Sequence, residues 1–271
     1  MITKAIIPVA GWGTRWLPIT KSIEKCMLPI GNRPVVDYVV QDCIEAGITD
    51  IYFVVAEHST QLRQYYENNV RLNSYLENDN KKELLKSVAL PDGVKFHFVV
   101  QSQVKYGTAV PVSFAANSIE PGESAIVLMG DDFVYNPNGK NPIIQLIEET
   151  EDGGNSLLGV NIPAEEVSRY GVIDMSENNN FIQIVEKPSI EDAPSSLINI
   201  SKYVLNKDVI DQIVQFVNTE KNGEYYITDV INEYVANGGT VKVVEATGEY
   251  LDGGNPRSWL HANRVVMGDI A

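Results

Sequence analysis

The stretch Ala5-Ile6-Ile7-Pro8-Val9-Ala10-Gly11-Trp12-Gly13-Thr14-Arg15-Trp16-Leu17-Pro18 passes from an apolar segment of strand length directly into a glycine-rich turn. A strand with no polar face belongs in the middle of a parallel sheet covered on both sides, and such sheets bind ligands at the carboxyl ends of their strands. Glycines at that edge let the backbone approach phosphate oxygens. A dinucleotide-binding turn would need a third small residue at position 16, where helix and strand pack closely, and Trp16 stands there. A Gly-x-x-x-x-Gly-Lys-Ser/Thr loop occurs nowhere in the chain. The turn therefore reads as an anion site of another kind.

Apolar runs of the same length recur at 51–56, 96–100 and 125–129, with helix-period segments between them. This alternation predicts an α/β fold: a Rossmann-like, mixed but mostly parallel sheet flanked by helices. The clearest helix follows Asn32-Arg33-Pro34, where Val35, Val36, Val39, Val40, Cys43 and Ile44 share one face and Gly47 marks the end. Residues 65–90 are too long and too polar for a simple connection and read as a helical excursion. After Asp131-Asp132 the pattern becomes mixed, with short strands near 157–161, 170–174, 181–186 and 197–204 and helices near 207–217 and 227–237. We expect one domain over 1–271, with a nucleotide-binding half at about 1–135 and a smaller sugar-binding lobe with C-terminal helices at about 136–271.

Lys and Arg number 21 against 36 Asp and Glu, a net charge of -15, which repels nucleic acid and anionic membranes. Neither is expected as a partner. An anionic substrate must instead find locally concentrated cations, and Arg15 and Lys25 provide two on one loop. A lone Lys or Arg is ordinarily solvated surface charge; the position of this pair just after a buried strand sets it apart. The apolar run 125–129 ends at Gly130-Asp131-Asp132 and delivers carboxylates to the same sheet edge. Asp252 closes another apolar run before Gly253-Gly254, so one Asp of the Asp131-Asp132 pair together with Asp252 could hold Mg²⁺. Glu186-Lys187-Pro188 ends a further strand run and sets an acceptor for sugar hydroxyls beside a cation for a phosphate. Tyr170-Gly171-Val172 and Gly223 to Asp229 are candidates to complete that pocket.

His58, His97 and His261 lie far apart, without zinc-ligand spacing. Two cysteines, Cys26 and Cys43, do not make a disulfide framework, and no serine sits in a nucleophile elbow. The first residues enter a strand-like run with no leader pattern, so the cytoplasm is the expected location.

In order and spacing, Gly11-x-Gly13-Thr14-Arg15-x-Leu17-Pro18, Lys25-x-Met27-Leu28-Pro29, Gln101 to Ala109, Gly130-Asp131-Asp132, Tyr170-Gly171-Val172 and Glu186-Lys187-Pro188 resemble the sugar-1-phosphate nucleotidyltransferases. Lys21 to Pro29 and the insertion Leu72 to Glu77, followed by Lys82-Glu83-Leu84-Leu85, are most similar to the bacterial UTP:glucose-1-phosphate uridylyltransferases within that family. The resemblance implies a Mg²⁺-dependent enzyme that joins UTP to glucose 1-phosphate, gives UDP-glucose and pyrophosphate, and forms a homo-oligomer, a dimer or a tetramer. It implies Ala10, Gly11, Gly13, Thr14 and Arg15 around the triphosphate, Lys25 at the reacting phosphates, and Asp131 and Asp252 on the metal. It also implies Gln101 and Gly107 near the base, Gly171, Glu186 and Lys187 on the sugar phosphate, and catalytic work from Arg15, Lys25, Asp131 and Lys187. The family usually has Pro where this chain has Glu24, Glu where it has Cys26, Gln where it has Tyr226 and Tyr where it has Leu251, and the stretch Gln101 to Gly107 is one residue shorter than usual. The alternatives are the same reaction with dTTP or another nucleotide and hexose phosphate, or a nucleotide-sugar-binding subunit without turnover.

Overall fold

A computed structural model describes residues 1–102, 105–178 and 180–268. The first half opens with β1 (Lys4–Pro8), followed by a small antiparallel pair, β2 (Pro29–Ile30) and β3 (Arg33–Pro34). Helix α1 (Val35–Glu45) and strand β4 (Asp50–Ala56) come next. The excursion seen in the sequence resolves into α2 (Gln61–Tyr65), α3 (Val70–Asn78) and α4 (Lys82–Val88), and the chain returns through β5 (Lys95–Gln101), α5 (Ala109–Ala115), β6 (Ser124–Leu128) and β7 (Asp132–Tyr135). The second half runs through α6 (Pro142–Glu149), β8 (Asn155–Asn161), β9 (Gly171–Met175), β10 (Phe181–Glu186), β11 (Leu197–Asn206), α7 (Lys207–Asn218) and α8 (Ile227–Ala236). It ends in β12 (Val241–Glu245), β13 (Glu249–Asp252) and α9 (Pro256–Met267).

The main sheet has the order β10-β9-β11-β6-β1-β4-β5, with β8 paired to both β11 and β12. Strands β6, β1, β4 and β5 run parallel, and antiparallel β11 joins β6 to the second half. Two apolar layers cover the sheet. Ala5 and Ile7 of β1 face the layer built on Val35, Val36, Val39 and Val40 of α1, while Ile6 faces the layer built on Val110 and Val112 of α5. Side-chain alternation along a strand, with a crossover helix on each face, is why β1 reads as continuously apolar. Both layers also take residues from beyond position 135, including Leu158 and Val204 on one face and Leu157 and Tyr203 on the other.

Helix α1 starts just after Pro34, whose fixed φ suits entry into a helix, and stops before Gly47, at φ +82°. The sequence reading did not single out β7 or β12, each only four or five residues long.

Candidate active site

Because β1, β4, β5 and β6 are parallel, their carboxyl ends open on one edge, and the loops leaving them enclose a cavity of about 760 Å³. Ala10, Gly11, Gly13 and Thr14 line it from the first loop, Lys25 and Cys26 from the same loop farther on, Gln101 from the end of β5, Gly107 from the segment that leads into α5, and Asp131 from the turn after β6. Gln103 and Val104, within the predicted base-side stretch, lie outside the described residues. A second cavity of about 710 Å³ shares the wall Val9 to Trp12 and Thr14 and opens toward Thr20 to Lys25 and Ser59 to Gln61.

Gly13 sits at φ +61°, and a Cβ there would meet Thr20 Cγ2 at 2.9 Å and Lys25 Cβ at 3.1 Å, so glycine brings the turn and the Lys25 segment together. Gly107 sits at φ +123°, with the Tyr225 carbonyl oxygen 2.2 Å from where a Cβ would be. Tyr225 N–H donates to the Tyr106 carbonyl at 2.8 Å, Ala109 N–H to the Tyr225 carbonyl at 2.9 Å and Ile227 N–H to Thr108 Oγ1 at 3.0 Å. Residues 106–109 are thereby stitched to the segment 225–227.

Lys25 Nζ donates to Asp131 Oδ2. Burial pushes the Asp131 carboxyl up, yet the ammonium of Lys25 outweighs it, with help from Lys202 and Arg15, and the group titrates below the usual carboxylate range. Asp252 reaches the same neighbourhood by strand pairing: β13 runs antiparallel to β7 with Asp252 opposite Asp132, and Gly253 N–H donates to the Asp131 carbonyl at 2.8 Å. Burial and then the charge of Asp131 push the Asp252 carboxyl up. A carboxylate held ionised beside a second one whose ionisation it opposes, both with hard oxygen donors, fits a divalent cation. Among the described residues no third carboxylate, His or Cys joins them, so substrate oxygens would have to complete the coordination.

Arg15 is exposed; its charge acts on Lys25, Asp131 and Asp252, although it does not line the larger cavity. Gly171, Glu186 and Lys187 form a separate group. Gly171 pairs in register with Glu186 across β9 and β10, and Lys187 N–H donates to the Tyr170 carbonyl at 3.0 Å. A Cβ at Gly171 would lie 3.2 Å from Glu186 Oε1. Thr228 Oγ1, on a residue only 4% exposed, donates to the same carboxylate oxygen at 2.8 Å. Because Glu224 lines the larger cavity, the segment from 224 to 228 runs from that cavity to Glu186.

The strand-end pattern alone does not separate Asp131 from Asp132, and the family resemblance points to Asp131; the two face different surroundings. Asp132 is buried, accepts from Lys202 Nζ through Oδ1 and from Tyr250 Oη through Oδ2 at 3.2 Å, and is pushed up to about 6 by burial. Lys202 is 1% exposed and was missed, because a lysine within the strand run 197–204 gives no local sign that it points inward. Cys26 is buried, and burial raises its thiol far above the range in which a thiolate forms near neutrality.

A glycine turn, a lysine–aspartate pair and a second carboxylate at one strand edge of an α/β sheet are the chemistry of a protein that handles phosphate groups. The chain belongs to the nucleotidyl transferase family, whose model matches residues 4–267. It is 36% identical over 259 residues to UTP–glucose-1-phosphate uridylyltransferase 1 of Staphylococcus saprophyticus, covering 93% of this chain and 88% of that protein. Its fold matches a UTP-bound UGPase from Acinetobacter baumannii with a TM-score of 0.89 at 29% identity, over 98% of this chain and 93% of the other. It also matches a UDP-glucose pyrophosphorylase complexed with UDP-glucose at a TM-score of 0.84 and 29% identity, over 98% and 99% of the two chains. Among the described residues no helix is long and apolar enough to cross a membrane.

Proposed function

We propose that this chain transfers the uridylyl group of UTP to glucose 1-phosphate and releases pyrophosphate. The observation that carries the reading is the larger cavity, which gathers the glycine turn, Lys25 and Asp131 at one sheet edge, with the Glu186–Lys187 group one short segment away. The relatives named for this reaction support the choice of substrates. A phosphate oxygen of glucose 1-phosphate attacks the α-phosphorus of UTP; the new P–O bond forms as the bond to the β-phosphate bridging oxygen breaks, and pyrophosphate leaves with that electron pair. Lys25 and Arg15 offset the charge on the phosphates, Glu186 accepts from sugar hydroxyls, and Lys187 holds the sugar phosphate. Gly11 leaves room for the nucleotide, since nothing lies within 4 Å of where its Cβ would be. Asp131 and Asp252 would hold Mg²⁺, which when bound neutralises phosphate charge. Buried Cys26 in the cavity wall favours a test of base choice.

Pyrophosphate release with glucose 1-phosphate and Mg²⁺, run in parallel with UTP, dTTP, CTP, ATP and GTP, decides the matter. Preference for UTP is the expected result, preference for dTTP moves the specificity, and silence with all five removes the enzyme reading. We also propose a cytoplasmic location and, on family resemblance, a homo-oligomer, a dimer or a tetramer; a monomer mass by light scattering would remove the second point.

A further inference from the structure

The loop from Gly13 to Leu28 carries Arg15 and Lys25, yet its only helical elements are three single turns, at Thr14–Trp16, Ile19–Lys21 and Lys25–Met27. Leu17, Ile19 and Lys21 are exposed, so apolar burial does little to hold its middle. At one end Trp16 Nε1 donates to the Gly253 carbonyl at 2.9 Å, and within the loop Thr20 Oγ1 donates to the Gly13 carbonyl at 2.9 Å. Next to Lys25, the chain is held from a different direction. The Glu24 carboxylate accepts from Ser59 Oγ through Oε2 at 2.7 Å, and from Thr60 N–H and Gln61 N–H through Oε1, each at 2.7 Å. Gln61 answers: its Oε1 accepts from Glu24 N–H at 2.8 Å, and its Nε2 donates to the Ser22 carbonyl at 3.1 Å. Five hydrogen bonds thus join residues 22–24 to residues 59–61, in the loop after β4. The Thr60 side chain gives α2 no cap, so Glu24 supplies the missing acceptor from another part of the chain.

We propose that Glu24 is a positioning residue for the transfer: it ties the loop to the fixed edge of the sheet and so holds Lys25 against Asp131 at the cavity wall. This rests on the transferase reading above. Three charge-assisted bonds on one carboxylate fix its backbone, and Lys25 is the next residue. Tethering lets the ammonium meet phosphate oxygens without first ordering a mobile loop, which is an entropic contribution to turnover rather than a contact with substrate.

The test is a double-mutant cycle on pyrophosphate release under saturating substrates. Glu24→Ala should lower kcat about tenfold in the natural chain and less than twofold in a Lys25→Ala background. Glu24→Gln retains an acceptor oxygen and should recover to within about threefold of the natural rate. A Glu24→Ala rate within twofold of the natural one, or an equal loss in both backgrounds, overturns the proposal. Should Glu24→Ala fail to fold, Gln61→Ala takes its place in the cycle, with a loss of about threefold that vanishes without Lys25. Amide hydrogen exchange reads the tether without turnover: Glu24→Ala, or Gln61→Ala in its place, should exchange about tenfold faster at 14–27 and 59–61 and unchanged in β1. Unchanged exchange in the loop overturns the proposal even if the natural chain releases no pyrophosphate, an outcome that would separately remove the transferase reading.

Discussion

The two halves of this sheet build their sites by different means. In the parallel half, β1, β4, β5 and β6 each hand their chain to a loop at one edge, so Gly11, Lys25, Gln101 and Asp131 converge although up to 120 positions separate them. In the second half, β9 and β10 are antiparallel, and Gly171 and Glu186 meet because they are register partners. The first arrangement yields a loop-lined cavity, which under the proposed function takes the triphosphate. The second yields a carboxylate held further by Thr228, which under the same proposal meets the sugar hydroxyls. The seam between them is Lys202 of β11, whose ammonium crosses to Asp132 in the first half.

The seam offers the largest effect. Lys202→Met should leave Asp132 buried without its cation and cost about 3–5 kcal/mol in urea unfolding, while Lys202→Met with Asp132→Leu should recover most of it. If the single change is harmless, the halves are not joined there. Lys25→Ala is next, with an expected fall in kcat of about 10²–10³-fold under saturating substrates. A loss expressed instead in the KM for glucose 1-phosphate would erase the division between a nucleotide side and a sugar side. Glu186→Gln should raise the KM for glucose 1-phosphate by about 10–100-fold, with UTP affinity unchanged by calorimetry, because a charged acceptor becomes a neutral one. Equal weakening of both substrates would show that the groups act as one.

The smallest effect concerns pH. Burial pushes the Asp42 carboxyl of α1 up from 3.8 to about 7, against the opposing charge of Lys202. With the folded value above the unfolded one, the folded chain binds the extra proton between these values. This group's stabilisation is therefore complete below about pH 4 and lost as pH rises through about 7. Asp42→Asn should remove that loss, making the variant more stable than the natural chain by about 1 kcal/mol at pH 8, after allowance for the residual solvent access of this mostly buried side chain, with little gain at pH 4. Thermal melts at the two pH values check the sign.

Much of this was legible before the structure. The apolar runs at 5–9, 51–56, 96–100 and 125–129 became β1, β4, β5 and β6, and the helices at 207–217 and 227–237 became α7 and α8 within a residue. These readings held because burial on both faces and helical spacing are local patterns that the chain must carry wherever it folds. Strands β7 and β12 were missed because only three residues separate β7 from the end of β6 and Lys242 and Glu245 interrupt the apolar run of β12, and their pairing with β13 and β8 supplies what the local pattern lacks.

Residue chemistry and order along the chain were set by sequence alone: a glycine turn after a buried strand, cations on one loop, carboxylates at strand ends and an excess of acid that confines anion binding to special places. Only the tertiary structure supplied the partners that separate the two adjacent aspartates, since Asp131 meets Lys25 and Asp132 meets Lys202. It also decided that Asp252 lies beside Asp131, that Thr228 holds Glu186, and that Glu24 caps a helix 37 positions away. Each of these contacts spans from dozens to more than a hundred residues. Their geometry is fixed by strand order and register, which emerge only when the whole core closes and no local pattern encodes them.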